Sequence, residues 1–262
     1  MTLYKSHFIE QESDITIISE SQNAINAAKQ EFFNHRATLE SYIETHKEFK
    51  TSFSPIKVDS ESKIITIMAE GALICDVGPM ATVAGALADL MLEAMRTKSS
   101  SNPVPARIAL VENGGEIAIN SERSMKIALY AGENRLQLNI GFLIEQKDCP
   151  LGIASSSAKI GHAISLGESD VVTVFAKNAT IADGAATKIG NLVKGADIEE
   201  SIQKALAKID DIEGVQGAFI CREDKIGYAG KIPKMFHITG EKDMILRNKY
   251  SSSDSQEFEI IK

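Results

Sequence analysis

The sequence of 262 residues has no tryptophan and only three cysteines, at positions 75, 149 and 221. An odd, widely spaced set without a CxxC pair indicates neither a disulfide framework nor a zinc knuckle. Basic charge is also short, with 28 Lys+Arg against 36 Asp+Glu and a net charge of −8. Nucleic acids and anionic membranes need a basic face, so neither is expected as the main partner. There is no G-x-x-x-x-G-K-[ST] and no G-x-G-x-x-G, which removes two common glycine-loop signatures for phosphate. A long apolar run is missing as well. The most hydrophobic stretch, GALICDVGPMATVAGALADLM (71–91), is interrupted by Asp76 and Asp89, leaving twelve uncharged residues from Val77 to Ala88. A bilayer span needs about 20. The opening MTLYKSHFIEQESD carries acids and no apolar signal core, so the expectation is a cytoplasmic protein.

What is present is the composition of a globular chain, 44% hydrophobic and 24% charged. DITIISE (14–20) alternates like a strand, and 21–49 repeats apolar residues at helical spacing without Gly or Pro, with a break expected near Asn34. Residues 64–75 are apolar with helix and strand both open. Residues 76–98 are expected to be a helix starting at Gly78-Pro79 and ending near Arg96 and Lys98, which suit the negative end of its dipole. RIALV (107–111), EIAI (116–119), MKIALYA (125–131) and LNIGFLI (138–144) read as a four-stranded meander. LGIASS (151–156) and VVTVFA (171–176) are further strand signals, 179–195 and 198–209 helices, and 217–223 with 225–230 a hairpin. The fold class is α/β (α+β), most simply one domain over 1–250 with a mobile tail at 251–262. ATVAGALADLM (81–91) and ATIADGAATKIG (179–190) echo one another, which raises an internal duplication with halves near 1–135 and 136–250.

Four places could carry chemistry. Asp183 and Thr187 are four apart and share a helix face, so a carboxylate and a hydroxyl with nearby carbonyls and waters would suit Mg²⁺; equally, Asp183 could cap a helix and Thr187 bond back to a carbonyl. Asn113-Gly114-Gly115 between two strand signals is a hairpin turn, or a loop whose backbone meets a ligand. Gly78-Pro79, at a helix start, could offer backbone amides to phosphate; the alternative is close packing through a stripe of Ala81, Ala84, Gly85 and Ala88. Ser155 and Ser156 lead into a loop with His162 that could be friendly to phosphate.

Taken in order, DVGPMATVAGALAD (76–89), ENGGEIAI (112–119), GIASSS (152–157) and SDVVTVFAKNATIADGAATKIGN (169–191) resemble ApbE-like proteins. RATLESYIETHKEFKTS (36–52) and GVQGAFICREDKIGYAG (214–230) are similar to an uncharacterised prokaryotic branch of that superfamily. Better-known members are FAD:protein FMN transferases that use Mg²⁺. The resemblance implies two related sheet-and-helix halves, with ADGAAT (182–187) placing Asp183 and Thr187 at metal-ligand positions. It implies flavin or nucleotide contacts around Gly78, Ala81, Asn113, Gly114, Gly115, Ser155, Ser156 and His162. The lysine of the transferases falls at Thr82, however, and their H-H-I-x-D-P-x-T-G segment has no counterpart beyond GHAISLGESD (161–170). The expectation is therefore a protein that binds FAD, FMN or another phosphorylated nucleotide-type ligand with Mg²⁺, as a divergent transferase or FAD pyrophosphatase. The alternative is a non-catalytic binding or assembly protein, in which small-residue helices serve homo-oligomer contacts.

Overall fold

The computed structural model describes residues 2–129, 139–156 and 167–238, with the backbone of a strand at 259–261. One antiparallel sheet of eight strands organises the chain. Its first four strands are β1 (Tyr4–Glu10), β2 (Ser13–Ser19), β3 (Ile108–Asn113) and β4 (Glu116–Ser121); its last four are β7 (Leu151–Ser156), β8 (Val171–Ala176), β9 (Val215–Arg222) and β10 (Lys225–Gly230). They lie in the order β1-β2-β3-β4-β7-β8-β9-β10, with β4 meeting β7 through Ile117↔Ile153.

The meander reading holds for its first pair of strands and for its second, but not for a pairing between the two. Between β4 and β7, strands β5 (Met125–Leu129) and β6 (Ile140–Ile144) leave for a second sheet of order β11-β6-β5-β12, with β11 (Lys234–His237) and β12 (Glu259–Ile261). That sheet covers one face of the first. Leu110, Ile119, Ile127, Phe142, Ile153, Phe175 and Phe219 form the core between them. Phe142 anchors it, edge-on to Phe175 at 4.8 Å and to Phe219 at 6.1 Å. Burying each such ring contributes about 2–3 kcal/mol.

Helices pack on the opposite face. The first is α1 (Gln22–Thr45), which runs unbroken past Asn34 and ends at His46; α2 (Lys47–Thr51) follows. The open segment 64–75 is helical, as α3 (Lys63–Cys75), and Asp76 stops it in the left-handed conformation at φ 52°. The helix expected from 76 is in fact a 3₁₀ turn (Pro79–Thr82) feeding α4 (Val83–Arg96). In the second half, α5 (Ala179–Leu192) and α6 (Ile198–Leu206) are somewhat shorter than their sequence patterns. One helix-side core gathers α1, α3 and α4 around Phe32, Met68 and Met91; its neighbour gathers α5 and α6 around Ile181, Ile189 and Ile202.

Among the described residues no single helix is long and apolar enough to cross a membrane. The pair α3 and Pro79–Arg96 passes only as a broken span bent by 99°. Many of its apolar residues, including Ile64, Met68, Leu87 and Met91, are buried in the core.

Candidate functional site

The segments that echo one another in sequence are the ones that cross in space. α4 and α5 meet at Gly85, where a Cβ would fall 2.2 Å from the Ala179 carbonyl oxygen and 2.9 Å from the Cβ of Asp183. Only glycine permits that approach. The small-residue stripe thus packs within the chain, along with Gly184, whose Cβ would lie 2.9 Å from Cys75 Sγ.

At the crossing each helix caps the other. The N-cap residue of α4, Thr82, does not cap it: the buried Thr82 hydroxyl turns back to the carbonyls of Pro79 (2.8 Å) and Met68 (3.2 Å). The first-turn amides of α4 are served from α5. Asp183 Oδ2 accepts from Gly85 N at 3.0 Å, and the Ala84 amide also donates to this carboxylate. In return, Asp89 of α4 accepts from the first amides of α5: Oδ1 from Ala179 N (2.9 Å), Oδ2 from Thr180 N (2.8 Å) and Thr180 Oγ1 (2.6 Å). Asn178 then caps Ile181 N at 2.9 Å. Carboxylates that accept from first-turn amides satisfy orphan donors and meet the positive end of the helix dipole. The capping reading of Asp183 is thus realised on another helix, not on its own.

The electrostatics of the crossing are unusual. Asp183 as a residue is only partly covered, yet its carboxyl group is enclosed, and this burial pushes its pKa up to about 7. The Gly85 and Ala84 amides oppose that rise, and the charge of Asp89 adds to it. Asp89 is itself raised by burial, against the three donors it accepts from. Burial, and then Asp183, lift the neighbouring Cys75 thiol to about 12. The Cys75 thiol points to the Ile181 carbonyl at 3.6 Å.

Thr187 lies one turn beyond Asp183, half-buried, and its hydroxyl takes part in no hydrogen bond among the described residues. The next residue, Lys188, reaches across to Asp76 Oδ2 at 2.6 Å, tying α5 to the α3–α4 turn. Asn113 joins this group: its Nδ2 donates to the Ala84 carbonyl at 3.2 Å, so Asn113 and Asp183 hold the same turn of α4. Gly114 and Gly115 (φ 69° and 122°) form the two-residue turn between Asn113 and Glu116, which the Asn-Gly pair announced.

The other expected residues lie apart from this group or serve packing. Gly78 is a close-approach position, since its Cβ would lie 1.9 Å from the Ser52 carbonyl oxygen. Ala81 closes the 3₁₀ turn by donating its amide to the Gly78 carbonyl at 3.0 Å. Ser155 shares a 2.9 Å hydrogen bond with buried Thr173. Ser156 faces Gly190, seven residues beyond Asp183 on α5 and therefore about 10 Å along the helix. His162 lies outside the described residues. Sequence reasoning noted Asp89 only as a charge interrupting an apolar run, and the echo of 81–91 with 179–190 was the signal that could have placed it opposite α5.

The donor set fits Mg²⁺ better than a fully protein-caged ion. No cluster of three His, Cys, Asp or Glu that could hold a metal occurs among the described residues. The Asp183 carboxylate and the Thr187 hydroxyl would supply two oxygen donors and leave the rest of a Mg²⁺ shell to waters and ligand phosphates, which is how Mg²⁺ is commonly held.

Comparison with known proteins places the chain in a family. The eight-stranded sheet and its helices are similar to those of the ApbE protein of Thermotoga maritima (TM-score 0.51, 12% identity, covering 83% of this chain and 94% of that one). They are equally similar to the flavinyl transferase ApbE of Pseudomonas stutzeri in its apo form (TM-score 0.52, 14% identity, 88% and 95%) and to a variant of the flavin transferase ApbE of Vibrio cholerae (0.52, 12%, 88% and 98%). At those identities the likeness is one of fold. In sequence, a UPF0280 protein of Methanocaldococcus jannaschii is 36% identical over 235 residues, covering 88% of this chain and 93% of its own length. A UPF0280 protein of Methanococcus maripaludis is 36% identical over 253 residues, covering 95% and 99%. The family model described as AbpE bacteria matches residues 2–215, and the chain belongs to that ApbE-like family.

Proposed function

We propose that the crossing of α4 and α5 is a Mg²⁺ site at which the chain binds a phosphorylated nucleotide-type ligand, FAD or FMN first among them. The observation that carries this reading is the enclosed Asp183 carboxylate, one turn before a Thr187 hydroxyl that has no hydrogen bond among the described residues, beside the Asn113 hairpin. Asp183 and Thr187 would hold the metal. When bound, Mg²⁺ supplies charge neutralisation at the ligand's phosphates. The chain's own groups then orient and enclose: Asn113 fixes the Ala84 turn, and Lys188 with Asp76 holds the α3–α4 turn against α5. The reaction that fits this placement is cleavage of the FAD pyrophosphate with release of AMP. FMN would pass to a hydroxyl of a target protein or to water.

One observation favours the second reading, binding without turnover. Thr82 occupies the position at which the resemblance places a lysine, and it is buried with its hydroxyl committed to backbone carbonyls. No cation at that position can stabilise charge developing on a leaving phosphate.

The test is a titration of FAD, FMN and AMP followed by flavin fluorescence or competition, with Mg²⁺ and with EDTA. The absence of tryptophan keeps intrinsic emission low. Mg²⁺-dependent binding that Asp183→Asn abolishes is expected. AMP release distinguishes turnover from binding alone, and failure of all three ligands to bind refutes the proposal.

A further inference from the structure

Asp89 has no place in the metal-ligand set, yet it is bound more completely than Asp183. Its two oxygens take three donors from two consecutive residues, the amides of Ala179 and Thr180 and the Thr180 hydroxyl. Packing fixes the hydroxyl's direction, because Thr180 Cγ2 fills the space above Gly71, where a Cβ would lie 2.6 Å from it. Asp183 follows Ala179 by one helical turn, so immobilising the first turn of α5 immobilises the base of the Asp183 side chain. The Asp183 carboxylate returns to the Gly85 and Ala84 amides, one turn before Asp89 on α4. The connections form a closed ring: Asp89, first turn of α5, Asp183, first turn of α4, and α4 back to Asp89. A ring with two carboxylates and no intervening flexible segment leaves Asp183 no freedom to rotate independently of α4.

We propose that Asp89 is a positioning residue for the Asp183 site, setting the register between α4 and α5 that aims the Asp183 carboxylate. The role of that site rests on the metal reading above; the ring itself does not. Groups that orient metal ligands from behind typically change metal affinity 10- to 100-fold when removed.

The experiment is amide hydrogen exchange resolved at single residues in the metal-free protein, together with Mn²⁺ binding followed by electron paramagnetic resonance. Asp89→Asn keeps the side chain's shape but presents an NH₂ group to donors that need an acceptor. The diagnostic amide is Gly85, which bonds to Asp183 and not to residue 89. Expected in Asp89→Asn are faster exchange at Gly85 as well as at Ala179 and Thr180, and Mn²⁺ affinity reduced about tenfold or more. A helix that merely frayed at its own start would free Ala179 and Thr180 and leave Gly85 protected. Protection retained at Gly85 therefore overturns the proposal, whatever happens to the metal. If Gly85 loses protection but the unmodified protein binds no Mn²⁺, the positioning role stands and the metal reading falls. Should Asp89→Asn fail to fold, Thr180→Val removes one of the three bonds while preserving the methyl packed on Gly71, and Gly85 exchange is read in the same way.

Discussion

Replacing Asp183 by asparagine should make the metal-free protein more stable, and only at neutral and alkaline pH. Burial raises this carboxyl from 3.8 to about 7, so the native state holds a proton that the unfolded chain releases. A raised acid contributes its stability at low pH and loses it as pH climbs from the unfolded value through the folded one. At pH 8 the ionised, enclosed carboxylate costs about 4 kcal/mol, and at pH 5 less than about 2 kcal/mol. Asparagine carries no charge at either pH. Its carbonyl oxygen still accepts from Gly85 N (3.0 Å to Asp183 Oδ2), but one of the two amide partners is lost, at about 1 kcal/mol. The net expectation is a gain of about 3 kcal/mol at pH 8 that shrinks to nearly nothing at pH 5. Urea unfolding in EDTA at pH 5, 6, 7 and 8 measures it, and the difference between the two proteins cancels other titrating groups, such as His35, which burial lowers. Equal stability at all four values, or an asparagine variant weaker at pH 8, would show that Asp183 is not held against its ionisation.

Two further outcomes test the crossing itself. Gly85→Ala places a methyl group 2.2 Å from the Ala179 carbonyl oxygen, against backbone that cannot give way without separating α4 from α5. A loss of about 3 kcal/mol in urea unfolding is expected, and a change under about 1 kcal/mol would mean the helices are not so closely seated. Cys75, with its thiol pushed up to about 12, should resist alkylation in the native protein at pH 8 and react once urea unfolds it. Peptide mapping reads this, and rapid native modification of Cys75 would place it outside the core.

What the sequence made legible depended on how local each signal was. The Asn113–Glu116 turn was readable because two adjacent glycines with positive φ decide it alone. The end of α1 was not. Asn34 is exposed and its carbonyl merely accepts from the Thr38 hydroxyl at 2.9 Å, so nothing there opposes the helix, whereas His46 leaves helical geometry at φ −115°, ψ 70°. β5 and β6 carry the same short apolar runs as β3 and β4, and such runs do not reveal which sheet a strand joins. β1 gave no strand signal, because it lies on the sheet edge and its side chains are exposed or only partly covered. Asp183 and Thr187 were visible as a pair on one helix face. Asp89 was not, since its partners are ninety residues away and its own surroundings are alanine and leucine.

The reciprocal capping also bears on how a phosphorylated ligand can be held. Helix N-termini attract phosphate because their amides are unpaired and their dipoles positive. Here the first amides of α4 are taken by Asp183, and those of α5 by Asp89 and Asn178. Gly78 is pressed on the Ser52 carbonyl and Pro79 has no amide proton, so the turn before α4 adds little. Lys188, the cation next to Thr187, is engaged by Asp76. Above about pH 7, where Asp183 gives up its proton, three carboxylates against one ammonium group leave the crossing net negative, a setting that repels a pyrophosphate. On the metal reading a divalent cation would cancel that charge and turn Asp183 from an obstacle into a ligand. On that reading, the carboxylate that burdens the metal-free fold at pH 8 would also make the site selective for a ligand arriving with its metal. For that reason FAD binding should vanish in EDTA and not merely weaken.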